Sequence, residues 1–195
     1  MVSEEVSGCA PGAILFDLDN TLVDRDRALG ELLAARFADP KVRAELLLLD
    51  REPGQAFLRA WSERSGRRFT RQELAEELAL RLAPDPELIE ALRELGRRCQ
   101  LGLVSNGGSR SQRAKLRAAG LEELFGAALV VSGEVGLEKP DPEIFWLACR
   151  RLGREPHDCL FIGDQEAVDG VGARAAGMSF RLATRVLDAE TVRGL

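Results

Sequence analysis

Runs of mainly apolar residues alternate along much of the chain with segments whose apolar residues recur every three or four positions. The runs span 13–16, 101–105, 127–132, 159–164 and 178–183, and stretches with helical spacing separate the last four. Strands that are apolar on both faces are typical of a parallel sheet covered by helices on each side. The pattern therefore predicts an α/β fold built on a parallel sheet.

The segment between the first two runs has a different pattern. From Arg25 to about Pro84, the spacing of apolar residues predicts about four helices. The last of them begins at Thr70, and Glu73 three positions later completes a capping-box pattern. We therefore predict that a helical segment interrupts the sheet-forming part of the chain.

The chain length limits how these parts can be organised. With 195 residues, the chain can bury one good core and a small additional unit, but it is short for two full domains. We predict a core domain formed by residues 12–23 and 85–195. A small helical-bundle cap at residues 24–84 would be inserted into it.

Polar residues suited to chemistry collect where the predicted strands end. Asp17 and Asp19 follow the first strand, Ser105 and Asn106 close the second, and Asp164 ends the fourth. Open α/β sheets bind ligands at the carboxyl ends of their strands. Two carboxylates two positions apart on a strand project to the same side and repel each other, so a cation is needed to make this arrangement tolerable.

Four short motifs occur in a fixed order along the chain. They are "DLDNT" at 17–21, "SNGG" at 105–108, "EKPDPEIF" at 138–145 and "GDQEAVDG" at 163–170. In this combination the chain resembles hydrolases of the haloacid dehalogenase (HAD) superfamily from about residue 14 to residue 182. The resemblance implies a Rossmann-like three-layer core with strand order 5-4-1-2-3 and a helical cap inserted after the first motif. In the fourth motif Gln165 stands where a Ser or Thr is common.

The resemblance also implies roles for individual residues. Asp17 would attack phosphorus to form an aspartyl-phosphate, while Asp19 would protonate the leaving oxygen and then take a proton from the hydrolytic water. Asp17 and Asp164, together with the main-chain carbonyl of Asp19, would supply the oxygen ligands that Mg²⁺ prefers. Lys139 would provide a second cation next to the phosphoryl group.

Further groups would bind the phosphoryl group or support the site. The hydroxyl of Ser105 and the loop amides of Asn106 and Gly107 would donate hydrogen bonds to the transferring group. Thr21 would steady the loop or the nucleophile. Asp169 would orient Lys139 or complete the acidic metal site.

These roles together predict a Mg²⁺-dependent phosphatase that acts on a small soluble phosphomonoester, such as a nucleotide or a sugar phosphate. Haloalkanoate dehalogenases lack an Asp at the position of Asp19, because a halide leaves without protonation. Two alternatives stay open at this point. One is a phosphomutase of the same superfamily, and the other is a catalytically silent protein of this fold that binds or regulates.

Composition changes this picture mainly by excluding partners. The formal net charge is −5, which gives no general basic surface for a nucleic-acid polymer, and only Lys41, Lys115 and Lys139 are lysines among the 27 basic residues. No apolar run approaches the length of a membrane span, and the first residues lack a leader pattern. The four cysteines are widely spaced, which favours reduced thiols. We therefore expect a small phosphorylated metabolite as partner, no membrane contact and a cytoplasmic location; the sequence does not set the oligomeric state.

Overall fold

A five-stranded sheet lies at the centre of the computed structural model, which describes residues 11–52 and 54–195. All neighbouring strands are parallel, and their spatial order is third, second, first, fourth, fifth. The strands are β1 (Ala13–Phe16), β2 (Gln100–Ser105), β3 (Leu129–Val131), β4 (Cys159–Gly163) and β5 (Ser179–Leu182). The α/β class and the strand order 5-4-1-2-3 are therefore confirmed.

Ten α-helices surround or extend this sheet in the described ranges. They are α1 (Arg25–Arg36), α2 (Pro40–Asp50), α3 (Ala56–Ser65), α4 (Arg71–Ala79), α5 (Pro86–Gly96), α6 (Ser109–Ala118), α7 (Ser132–Val135), α8 (Pro142–Leu152), α9 (Val171–Ala175) and α10 (Ala189–Arg193).

The central strand explains why its sequence is apolar throughout. β1 pairs with β2 on one side and β4 on the other, and all four of its residues are buried. Ile14 and Phe16 belong to a hydrophobic cluster with residues of α5, α6 and α10, whereas Ala13 and Leu15 belong to a second cluster with α8 and α9. Because both faces of the sheet are covered, neither face of the strand needs polar residues.

The four helices α1 to α4 lie in the chain between β1 and α5, as the spacing predicts. They bury a separate cluster in which the Trp61 ring stacks on Phe69 with centroids 4.2 Å apart. The capping box at the start of α4 is present, since Thr70 and Glu73 exchange hydrogen bonds between side chain and backbone. The division into core and cap at residues 24–84 stays a prediction.

Two segments differ from the sequence-based expectation. The strand predicted over 127–132 is shorter, because residues 126–128 form a 3₁₀ turn and Ser132 begins α7. The helical stretch predicted between the runs at 159–164 and 178–183 begins with a π-helical turn, Glu166–Gly170, in place of regular α-helix. That turn carries Asp169 inward, and single π turns are frequent at functional sites.

The structure describes three of the four cysteines, and its helices can be compared with the length of a membrane span. Cys99, Cys149 and Cys159 carry free thiols, whereas Cys9 lies outside the described residues. Within residues 11–52 and 54–195, no helix combines the length and apolar character needed to cross a membrane.

Candidate active site

The end of β1 leads into a tight turn that separates the two aspartates. β1 stops at Phe16, and the amides of Leu22 and Val23 both donate to the carbonyl of Leu18, so the chain folds back directly after the strand. Asn20 adopts a left-handed conformation with φ 58°, which Asn tolerates better than most residues. The two carboxylates are therefore not successive same-side residues of one strand, and each has its own surroundings.

Asp17 is paired with a buried lysine. The Nζ of Lys139 lies 2.6 Å from Asp17 Oδ1 and 2.7 Å from Asp169 Oδ1, and all three side chains are almost fully buried. Burial raises the pKa of Asp17 to about 7, although Lys139 opposes the shift. Burial alone would lower the pKa of Lys139, but the attraction of the two carboxylates outweighs it and the net shift is upward. The ammonium group is thus held charged beside Asp17.

The side chain of Asn106 fixes the segment that carries this lysine. Its Nδ2 donates to the Lys139 carbonyl and its Oδ1 accepts from the Lys139 amide, both at 2.8 Å. This reciprocal pair joins the end of β2 to the loop before α8. The Asn106 side chain therefore positions Lys139.

Asp19 is paired with a second lysine that sequence reasoning did not place in the site. The Nζ of Lys115 on α6 contacts both carboxylate oxygens of Asp19, at 2.5 Å from Oδ1. Gln112, one turn earlier on α6, donates from Nε2 to Asp19 Oδ2 at 3.1 Å. Burial opposes the ionised form of Asp19, but Lys115, Arg25 and Gln112 together more than offset it, and the pKa of Asp19 lies below its usual 3.8. For Lys115 itself, burial outweighs this attraction and lowers its pKa.

A cluster of three carboxylates fits a divalent cation. Oxygens of Asp17, Asp164 and Asp169 all lie within 4.8 Å of one another. Asp164 Oδ1 is buried and accepts no hydrogen bond from any residue in the described ranges. A buried carboxylate oxygen without a partner is costly, and carboxylate oxygens are the ligands that Mg²⁺ takes. The cluster contains two of the predicted metal ligands, while the Asp19 carboxylate lies outside it.

Asp169 owes its position to the glycine at the end of β4. A Cβ added at Gly163 would overlap with the Asp169 carboxylate, so the approach requires glycine. Asp169 Oδ1 accepts from Lys139, and Oδ2 accepts from the Gln165 amide at 3.0 Å. Asp169 therefore makes the contact that the predicted lysine-orienting role needs, while it also belongs to the cluster of three carboxylates.

The predicted phosphate-binding groups are also brought to this edge of the sheet. The hydroxyl oxygen of Ser105 accepts from Gln112 Nε2 at 2.6 Å, which leaves its hydrogen free to donate to a ligand. The Gly107 amide already donates to the Ser132 hydroxyl at 2.9 Å. Thr21 Oγ1 is buried without a hydrogen-bond partner among the described residues, so the contacts through which Thr21 would steady the loop are those of its backbone, whose carbonyl accepts from the Leu187 amide at 2.8 Å.

A cleft of about 690 Å³ opens beside Asp19. α4 and α6 pack against each other along it. Its lining combines apolar residues such as Leu74 and Leu78 with polar side chains. Besides Asp19, Gln112 and Lys115, these include Arg25, Arg71, Gln72, Glu76, Arg110 and Arg117. The cleft therefore joins the candidate site to two helices of the inserted segment, α4 and, through Arg25, α1.

The family model of haloacid dehalogenase-like hydrolases matches residues 11–177. The chain belongs to this family. The matched range contains all four motifs, so the HAD resemblance of the sequence is confirmed. The individual roles of the site residues stay predictions.

Similar proteins include named phosphatases. The chain is 36% identical over 152 residues to a phosphoserine phosphatase of Thermus thermophilus, covering 76% of this chain and 61% of that one. It is 31% identical over 191 residues to a glyceraldehyde 3-phosphate phosphatase of Methanothermobacter thermautotrophicus, covering 86% and 83%. In other curated relatives that it matches, including the phosphoserine phosphatase, the chain covers between 35% and 61% of the relative's own length. A solved HAD phosphatase of Thermococcus onnurineus superposes with a TM-score of 0.65 at 27% identity, covering 86% and 84%.

Proposed function

We propose that this HAD-family protein is a Mg²⁺-dependent phosphatase that hydrolyses a small phosphomonoester through an aspartyl-phosphate on Asp17. One observation carries the proposal. A buried Asp17 contacts the ammonium group of Lys139 and lies within 4.8 Å of Asp164, which has an unpartnered buried oxygen. The proposed nucleophile, a fixed ammonium group and a carboxylate oxygen able to bind a metal ion therefore lie close together.

Electrostatics explains why this assembly needs cations. At an effective dielectric constant of about 20, a phosphate dianion about 4 Å from a carboxylate is repelled by roughly 8 kcal/mol. Lys139 offsets part of this charge as a fixed point cation. Asp17 and Asp164, with the Asp19 carbonyl, would hold Mg²⁺, which supplies Lewis-acid stabilisation of the phosphoryl oxygens when bound. Asp17 Oδ2 has no hydrogen-bond partner in the described part of the chain and is the oxygen free to attack.

Asp19 would exchange protons with the leaving group and with the hydrolytic water. Its carboxylate lines the cleft, where the non-transferred part of a substrate would lie. Because Lys115 holds Asp19 ionised in the free protein, Asp19 would first take up a proton from water in the cleft. It would donate that proton to the leaving oxygen as the bond to phosphorus breaks, and it would later accept a proton from the water that hydrolyses the aspartyl-phosphate. The Ser105 hydroxyl, with the amides of Asn106 and Gly107, donates to the transferring group; the Gly107 amide would exchange its bond to Ser132 for this purpose.

The size and lining of the cleft support a small, polar substrate. Its volume of about 690 Å³ suits a metabolite, and α4 contributes side chains that would contact the leaving group. We propose that residues 24–84 act as a cap that excludes water and bulky substrates. The related phosphoserine and glyceraldehyde 3-phosphate phosphatases are named for small phosphorylated compounds, which supports this class. The Sγ atoms of Cys149 and Cys159 lie 3.7 Å apart without forming a disulfide, which favours the cytoplasm as its location.

A screen of phosphorylated metabolites tests the proposal. Phosphate release by the wild-type protein is measured with Mg²⁺ and with EDTA. The folded variant Asp17→Asn is measured with Mg²⁺ as the third arm. We expect release from at least one small phosphomonoester and its loss on both chelation and substitution. Retained turnover by folded Asp17→Asn would exclude the aspartyl-phosphate mechanism. Transfer of phosphate to a second sugar position without net release would identify a mutase instead.

A further inference from the structure

Lys115 is a buried cation that takes no direct part in the steps above. Its side chain is only 4% exposed, and its ammonium group contacts both oxygens of Asp19. Among the residues that the structure describes, Asp19 is the only carboxylate within salt-bridge distance of Lys115. A lysine is rarely buried to this extent without a partner, because removing the ammonium group from water is costly.

Stability alone does not explain this buried pair. The cost of desolvating two charges often exceeds their mutual attraction, so an apolar side chain at such a position is frequently neutral or stabilising. The pair joins a residue of the turn after β1 to one on α6, 96 positions away in sequence. It therefore fixes the relation between two separate elements of the site.

Gln112 adds a second contact from the same face of α6. Its Nε2 lies 3.1 Å from Asp19 Oδ2, 2.6 Å from Ser105 Oγ and 2.8 Å from the Asn106 carbonyl. The side chain is buried, so these contacts hold its amide in one orientation. With Lys115 on both oxygens and Gln112 on one, the Asp19 carboxylate has little freedom to rotate.

We propose that Lys115 is a positioning residue that holds the Asp19 carboxylate at the cleft in the orientation required to meet the leaving oxygen. The proposal rests on the phosphatase function proposed above. Asp19, Gln112 and Lys115 all line the cleft, so the constraint acts where the leaving group would lie. Lys115 acts through Asp19, so its loss should affect proton delivery more than capture of the phosphoryl group.

The test compares two esters in Lys115→Met, a substitution of similar length without charge. For glycerol phosphate, whose alkoxide needs a proton to leave, we expect kcat to fall by about 10- to 100-fold, since misplacing a catalytic group can cost about that much. For para-nitrophenyl phosphate, whose phenolate leaves readily, we expect kcat to change by less than about threefold. KM should stay within about threefold for both esters, because the Lys115 ammonium group is engaged by both oxygens of Asp19.

A double-mutant cycle separates positioning from a general structural role. In the Asp19→Asn background, adding Lys115→Met should change glycerol phosphate turnover by less than about twofold, because no acid is left to position. Arg81→Met is the matched control, since it removes a half-buried ion pair to Glu77 away from the cleft. This control should leave the ratio of the two rates unchanged.

Several outcomes would overturn the inference. Equal loss on both esters, unchanged or faster glycerol phosphate turnover, or full additivity with Asp19→Asn would each do so. If Lys115→Met does not fold, as judged by thermal unfolding, Lys115→Gln provides the same comparison. Turnover of para-nitrophenyl phosphate that depends on Asp17 supports the phosphatase independently, so a failure at Lys115 leaves that function standing. A wild-type protein that hydrolyses no ester would overturn both.

Discussion

The ion pair between Lys139 and Asp17 makes a demanding prediction, because it ties stability to pH. In Lys139→Met, the Asp17 and Asp169 carboxylates lose an ammonium group that lies 2.6 and 2.7 Å from them and is 3% exposed. Removing one partner of a buried pair costs about 3–5 kcal/mol, because the other charge is left uncompensated. We expect the free energy of unfolding to fall by this amount on the alkaline side of neutrality.

Protonation of Asp17 limits the cost at lower pH. Burial raises the pKa of Asp17 to about 7 even with Lys139 present, against an ordinary value of 3.8. Without the ammonium group the pKa rises further, so above about pH 7 the folded variant holds a proton on Asp17 that the folded wild type and both unfolded chains do not. The variant then loses up to about 1.4 kcal/mol per pH unit relative to the wild type. Below about pH 7 both folded states hold this proton, and their difference becomes nearly constant.

Urea unfolding in EDTA at about pH 6 and about pH 8.5 measures this difference. Lys41→Met is the matched control, because it makes the same substitution at an exposed lysine and should show no such pH dependence. A difference between variant and wild type that is the same at both pH values, or larger at the acid one, would refute the reasoning.

Three further predictions concern the metal site, the glycine beside it and the inserted helices. Because a proton and Mg²⁺ compete for Asp17, the apparent Mg²⁺ affinity in a titration of phosphatase activity should weaken by up to about tenfold per pH unit below about pH 7; an affinity independent of pH would contradict this. Gly163→Ala should lower the free energy of unfolding by about 1–3 kcal/mol and reduce kcat, since its methyl group would displace Asp169, and an unaffected kcat would argue against that displacement. Thr70→Ala should cost about 1 kcal/mol in urea unfolding by removing the capping box with Glu73, while Thr70→Ser should cost much less.

The parts of the fold that follow from local pattern were predictable. The apolar run at 13–16 predicts a strand covered on both faces, and the Thr70–Glu73 spacing predicts where α4 begins. The strand order came from the family resemblance, since local periodicity carries no information on which strands become neighbours. The π turn that carries Asp169 was not predictable, because its apolar spacing differs little from that of an α-helix.

The surroundings of Asp19 could not be derived from sequence for a different reason. On α6, Lys115 lies among Arg110, Arg113 and Arg117, and spacing alone does not distinguish a buried cation from solvated ones. Its burial is set by a turn 96 positions away. The scarcity of lysine in the chain was the one available signal, and it pointed to Lys139 as much as to Lys115.

The two steps of the proposed chemistry depend on different lysines, Lys139 for the attack on phosphorus and Lys115 for proton delivery. Attack on phosphorus depends on Asp17 and on the chain from Lys139 to Asp169, whereas proton delivery depends on Asp19 and on one face of α6. A substitution of Lys115 would therefore change the range of alcohols that such an enzyme releases, whereas a substitution of Gln112 on the same helix would also disturb Ser105, which Gln112 contacts at 2.6 Å. Leaving-group preference would then depend on Lys115 and its contacts to Asp19, while the contacts between Lys139 and Asp17 stay in place.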